Sequence, residues 1–131
     1  PTELRKAANS ENLNVRKASI FALSSQIQTL EIEEDRKILI NALSDSCAEI
    51  RAEAATFLGQ IGDTKLDSPL LIPLLSDPDA WVRKNSALSL MKLRATQSIK
   101  ALQDRMNKEE DKVVLNVLEL AINQINKTTN N

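Results

Sequence analysis

Residues 50–63 read IRAEAATFLGQIGD, in which the β-branched residue Ile50 is followed directly by Arg51. The same kind of dipeptide recurs along the chain at intervals of 35, 32 and 32 residues, with leucine replacing arginine in the last copy. An internal period of this length predicts a chain built from stacked structural repeats. The four copies are Val15-Arg16, Ile50-Arg51, Val82-Arg83 and Val114-Leu115.

Apolar or small side chains follow each of these β-branched residues, which we call the anchors, at fixed distances. Offsets of 0, 4, 8 and 11 from the anchor lie on one face of a helix with 3.6 residues per turn. Each unit is therefore predicted to be a short helix, a tight turn and a longer helix. The predicted units span approximately residues 1–30, 31–63, 64–95 and 96–125. A disordered tail is predicted for residues 126–131.

The composition excludes several kinds of catalytic site. The chain has 131 residues, no His, one Cys and two Gly. Without His there is no imidazole base, and a single Cys cannot form a cysteine-rich zinc site. Two glycines cannot build a glycine-rich phosphate loop. We therefore expect no metal and no cofactor. Because aromatic residues make up only 2% of the chain, the core should be aliphatic, which favours helices.

The charge balance and hydropathy of the chain indicate which partners and which cellular location to expect. With 17 basic and 18 acidic residues the net charge is −1, and the pI is about 5.5. A domain that binds nucleic acid usually carries a strongly basic stripe, so nucleic acid is an unlikely partner. No apolar run approaches the roughly 20 residues that a membrane span needs. The N-terminus also lacks the apolar stretch of a signal peptide, so we expect a cytoplasmic location.

The repeat resembles a known family. The segment 50–63, followed by PLLSDPD at residues 73–79 and by Val82-Arg83, is similar to HEAT repeats, and most of all to the short variety named after phycobilin lyases. This resemblance implies an all-α fold, a right-handed α-solenoid of about four helical hairpins. It also implies that the second helix of each unit lines a concave face. Such arrays serve as scaffolds, adaptors, chromophore lyases and occasionally DNA-repair enzymes, so fold alone leaves the function open.

The resemblance also implies a structural role for charged residues in the turns. In such repeats an aspartate of the turn binds the arginine that follows the anchor, in its own unit or in the next. A guanidinium group can hold a carboxylate through two hydrogen bonds while it satisfies loop carbonyls. The implied pairs are Asp45 with Arg51 and Asp77 with Arg83, and Ser10 takes the aspartate position beside Arg16.

Candidate binding residues lie on the side of the second helices that the core does not use. Trp81 is the only Trp of the chain, and tryptophan dominates binding hot spots. Alternatively, Trp81 packs against the adjoining helix. The predicted partner-binding residues are Trp81, Lys84, Leu88, Lys92, Glu49 and Gln60.

These observations predict a non-enzymatic scaffold or adaptor that binds a protein partner through the concave face. The alternative is a subunit or fragment of a phycobilin lyase-like enzyme or of another HEAT-containing enzyme. The last helix, at residues 113–125, is apolar nearly all round. Because a terminal repeat normally has a polar outer face, we expect a further unit, a second copy of the chain or a target helix to cover it. The second of these would be self-association.

Overall fold

The computed structural model describes residues 2–28 and 32–130, and all regular structure in this part of the chain is helical. Its eight α-helices pair into four hairpins, so the prediction of an all-α solenoid of about four hairpins is confirmed. The hairpins are α1 (Thr2–Ala8) with α2 (Leu13–Gln26), α3 (Glu33–Ala42) with α4 (Ala48–Ile61), α5 (Thr64–Leu71) with α6 (Ala80–Lys92), and α7 (Ile99–Met106) with α8 (Lys112–Asn130). Short 3₁₀ helices follow α5, at Ile72–Ser76, and precede α7, at Thr96–Ser98.

The second helices stack side by side, and their anchors lie in the seams between them. Ile50 and Val82 are fully buried, and Val114 is 1% exposed. Val15, the anchor of the first hairpin, is 43% exposed, because no helix of the described residues packs on its outer side. The repeat interval in the sequence therefore has a structural cause: once per interval, a hairpin buries an aliphatic side chain against its neighbour.

Helices α4 and α6 are in close contact at a glycine. A Cβ atom on Gly59 would lie 2.3 Å from Ser89 Oγ and 2.7 Å from Ser89 Cα. The Ser89 hydroxyl donates a hydrogen bond of 2.6 Å to the backbone carbonyl of Ala55 across the same seam. The absence of a side chain at residue 59 therefore allows direct contact between the two backbones.

A series of ion pairs joins each hairpin to the next. The arginine after the anchor binds a carboxylate in the following unit, whereas the sequence-implied pairs joined it to the aspartate of its own unit. The resemblance allowed an acid of the same unit or of the next, and the structure shows the next. The two pairs named within one unit are wrong as carboxylate pairs, since stacking places the turn of the next hairpin beside the guanidinium group. The observed pairs, with the shortest N–O distances, are Arg16 with Asp45 at 2.6 Å, Arg51 with Asp77 at 2.8 Å and Arg83 with Glu109 at 2.7 Å.

Within its own unit, each of these arginines binds the turn through the backbone. Arg51 Nη1 donates to the carbonyl oxygen of Asp45 at 2.8 Å, and Arg83 Nη1 donates to that of Asp77 at 2.9 Å. One guanidinium group therefore satisfies a carbonyl of its own turn and the carboxylate of the next.

Helix α8 is longer than the sequence predicted. It continues to Asn130, where a disordered tail from residue 126 was expected, because no glycine or proline interrupts this segment. Asn131 lies outside the described residues, as does the predicted unit boundary at residues 30 and 31. Helix α8 exposes Val113 and Leu120, but also polar side chains such as Glu119. Self-association through this helix stays a prediction. None of the described helices, α8 included, is long and apolar enough to cross a membrane.

Candidate functional site

A groove of about 490 Å³ lies across the second helices of the first three hairpins. Its walls come from α2, α4 and the start of α6, so it exists only because these helices stack. The lining combines two aromatic rings, three carboxylates, an amide and two alanines. These side chains are Phe21, Ala48, Glu49, Ala52, Glu53, Asp79, Trp81 and Asn85.

Trp81 forms one side of the groove and is fixed at the first turn of α6. The Asp79 carboxylate caps this helix by accepting hydrogen bonds from the backbone N–H groups of Trp81, at 2.8 Å, and Val82, at 3.3 Å. The Trp81 side chain is 63% exposed, and Lys84 Nζ lies 4.4 Å from its ring centroid. This cation–π contact helps to hold an exposed aromatic surface in place beside the groove.

The three carboxylates of the groove differ in their partners. Glu49 forms an ion pair with Lys17, and Asp79 is used in the helix cap. Glu53 is half-buried, and no described residue gives it a hydrogen bond or an ion pair. Burial raises the pKa of Glu53 above its usual value, since the charged form loses solvation without gaining a partner. Glu53 is therefore the carboxylate of the groove that is available to a ligand.

The structure brings together only part of the predicted binding set. Trp81 and Glu49 line the groove, and Lys84 covers the Trp81 ring. The other three predicted residues are not part of the lining. They lie six or ten residues after their anchors on α4 and α6, whereas these two helices line the groove only near their starts. These three residues are Leu88, Lys92 and Gln60. Helix α2 reaches the groove further along, through Phe21.

Sequence reasoning missed the polar lining of the groove. Glu53 and Asn85 both lie three residues after an anchor, at Ile50 and Val82 respectively. That offset was not assigned to the concave face, although a helix of 3.6 residues per turn places it within 40° of the offset −1 position occupied by Trp81. Glu53 and Asn85 occupy the same offset in successive units, and this was the signal that could have identified them as lining residues.

The comparisons with known proteins agree with this architecture. A profile of HEAT repeats matches residues 36–123, and the chain belongs to this family. The crystal structure of an engineered protein, a target of the Northeast Structural Genomics Consortium, is similar with a TM-score of 0.64 and 24% sequence identity. This similarity covers 95% of the present chain and 61% of the engineered one, and it shows the fold alone.

A relative with a stated role is the bilin biosynthesis protein MpeU of Synechococcus sp. (strain WH8020). It is 39% identical over 127 residues, which are 97% of this chain and 43% of the relative. The chain thus spans less than half the length of MpeU. The resemblance to the repeats of phycobilin lyases is confirmed by this relative together with the HEAT profile.

MpeU overturns the functional prediction made from the sequence. A non-enzymatic scaffold or adaptor was expected, and this is wrong, because a relative similar over nearly the whole chain is named for bilin biosynthesis. The prediction that the protein is not an enzyme is contradicted by the same finding. The error arose because the absence of His and of a cysteine cluster was given too much weight.

Proposed function

We propose that this chain is the bilin-handling part of a phycobilin lyase-type protein, and that it binds an open-chain tetrapyrrole in the groove formed by α2, α4 and α6. The observation that carries the proposal is the 39% identity with a bilin biosynthesis protein along 97% of the chain. The matched region is 43% of MpeU, so the proposal concerns bilin binding by this chain and not the complete reaction of that relative.

The groove has the size and the side chains that such a ligand requires. Its volume of about 490 Å³ lies within the range of about 300–1,000 Å³ that is typical of small-molecule sites. A bilin is a flat conjugated molecule, and the Phe21 and Trp81 rings offer aromatic surface against which it can stack. The exposed Trp81 ring is not needed to fill the core, and a bound bilin would cover it.

Titration with a free bilin tests this proposal. Trp81 is the only Trp, so the tryptophan fluorescence of the protein reports directly on the groove. We expect saturable quenching of this fluorescence by biliverdin or phycocyanobilin. Phe21→Ala should weaken binding about tenfold, which corresponds to the loss of one aromatic contact of about 1.4 kcal/mol. Trp81→Ala, followed by bilin absorption, should weaken it at least as much.

Leu66→Ala is the matched control. Leu66 is 62% exposed and lies on α5, outside the groove lining. Its removal deletes a similar kind of exposed apolar surface and should leave bilin affinity unchanged. Equal losses from Phe21→Ala and Leu66→Ala would indicate nonspecific adsorption of the pigment and would contradict the proposal.

A further inference from the structure

We propose that the Glu53 carboxylate binds the pyrrole N–H groups of the bilin and so orients the tetrapyrrole within the groove. This inference rests on the proposed function. The aromatic residues alone would hold the ligand only by stacking. In this inference, one side chain adds the hydrogen bonds that fix its orientation.

The first argument is the state of the carboxylates that line the groove. Glu49 and Asp79 already have partners, the Lys17 ammonium group and the backbone of the first turn of α6. Glu53 has no such partner among the described residues, although it is half-buried. Water still reaches this half-buried carboxylate, and a ligand that brings N–H donors to the position replaces that water with charge-assisted hydrogen bonds.

The second argument is the chemistry of the ligand class. A bilin carries four ring nitrogens, most of which are N–H donors, and two propionate groups. A carboxylate accepts hydrogen bonds from several neighbouring N–H groups at once and is the strongest acceptor that a protein side chain provides. The N–H donors of the ligand would favour the charged form of Glu53, which burial alone disfavours by raising the pKa of this residue.

The third argument is the distribution of charge around the groove. All three ionisable side chains of the lining are acidic. Their field repels the propionates of the bilin and favours the pyrrole nitrogens. Lys84, above the Trp81 ring, lies beside the groove as a cation that a propionate can approach. The ligand is therefore oriented with its nitrogens towards Glu53 and a propionate towards Lys84.

The experiment compares Glu53→Gln with the wild-type chain by affinity and by spectrum. Glutamine keeps the size of the side chain but removes its charge. We expect bilin affinity to fall about tenfold or more, as for the loss of a hydrogen bond to a charged acceptor. We also expect the long-wavelength absorption band of the bound bilin to shift, because the charge beside the ring nitrogens is gone. A purely structural role of Glu53 would not move this band in the pigment that remains bound.

Two further variants keep the test decisive. Glu119→Gln removes an exposed carboxylate from α8, outside the groove, and should change neither affinity nor spectrum. Glu53→Asp keeps the charge but shortens the side chain by one methylene, and should give an affinity between those of the wild type and Glu53→Gln. If Glu53→Gln does not fold, weaker binding by Glu53→Asp than by the wild type supports the inference, and unchanged binding overturns it.

The outcomes separate this inference from the proposed function. If the wild-type chain does not quench on titration with bilin, the proposed function fails and Glu53 has no such ligand. If the wild type binds bilin while Glu53→Gln binds with the same affinity and the same spectrum, the role of Glu53 is overturned and the proposed function stands.

Discussion

Glu109 shows how strongly one residue of the ion-pair series is held. Its side chain is fully buried and accepts hydrogen bonds from Arg83 at 2.7 Å and Arg105 at 3.1 Å. Burial by itself would raise the pKa of Glu109. The bonds from Arg83, from the Asp111 N–H group and from Arg105 outweigh this effect and lower the pKa from its usual 4.5 to about 2.

A pH dependence of stability follows from that lowered pKa. The charged form of Glu109 stabilises the folded state, and this contribution is complete above the unfolded pKa of 4.5. It is lost as the pH falls through 4.5 towards 2. We expect Glu109→Gln to lower the free energy of unfolding at pH 7 by roughly 2–3 kcal/mol. The same variant should flatten the fall in stability between pH 5 and 2.

Urea denaturation at a series of pH values measures this effect. Glu110→Gln, at an exposed neighbouring carboxylate, is the control and should keep both the stability and the acid slope of the wild type. An acid slope unchanged in Glu109→Gln would show that other carboxylates control acid unfolding.

The same series shows what could be predicted about single residues. The resemblance to HEAT repeats implied that Arg16, Arg51 and Arg83 are structural, since each follows an anchor. Which acid each one binds could not be read in the same way. Each arginine has two candidate acids, one in its own turn and one in the turn of the next unit. Both recur at the repeat interval, so the choice between them depends on how the hairpins stack.

At the scale of elements, the contact between α4 and α6 depends on Gly59. A methyl group there would meet Ser89 at 2.3–2.7 Å, and relief would require Ser89 to give up its hydrogen bond to Ala55 or the helices to separate. We expect Gly59→Ala to destabilise the fold by about 1–3 kcal/mol through overpacking. Thermal and urea unfolding measure this change.

The sign of the change makes this a sharp test. In a helix interior without steric conflict, replacing glycine by alanine stabilises by about 0.5–1 kcal/mol. Asn116→Ala, at an exposed position of α8, is the control and should keep or raise stability. A stabilised Gly59→Ala would mean that the seam between α4 and α6 can open without cost.

At the scale of the whole molecule, the first hairpin should be less stable than the second and the third. Its anchor Val15 is 43% exposed, whereas the anchors Ile50 and Val82 are fully buried. A hairpin with one neighbour gains less interface energy than a hairpin with two. We expect native-state hydrogen exchange to give opening free energies for α2 that are about 1–3 kcal/mol below those for α4 and α6.

A variant distinguishes local opening of this hairpin from global unfolding. Ile20→Ala removes a buried side chain of α2 and should speed exchange in α1 and α2 more than in α6. Equal protection in all four hairpins, or equal acceleration throughout the chain by Ile20→Ala, would show that the solenoid opens only as one cooperative unit.

The sequence by itself determined the repeat, the four hairpins and the family, because the side chains that pack each hairpin on the next recur at a fixed interval. Only the tertiary structure decided the partners of the arginines and the shape of the groove. Phe21, Glu53 and Trp81 come from three different hairpins, and they meet because stacking brings α2, α4 and α6 to one surface. The periodicity of the sequence indicates which residues are buried. The shape of a groove depends on the distances between the stacked units, and these distances cannot be read from local sequence.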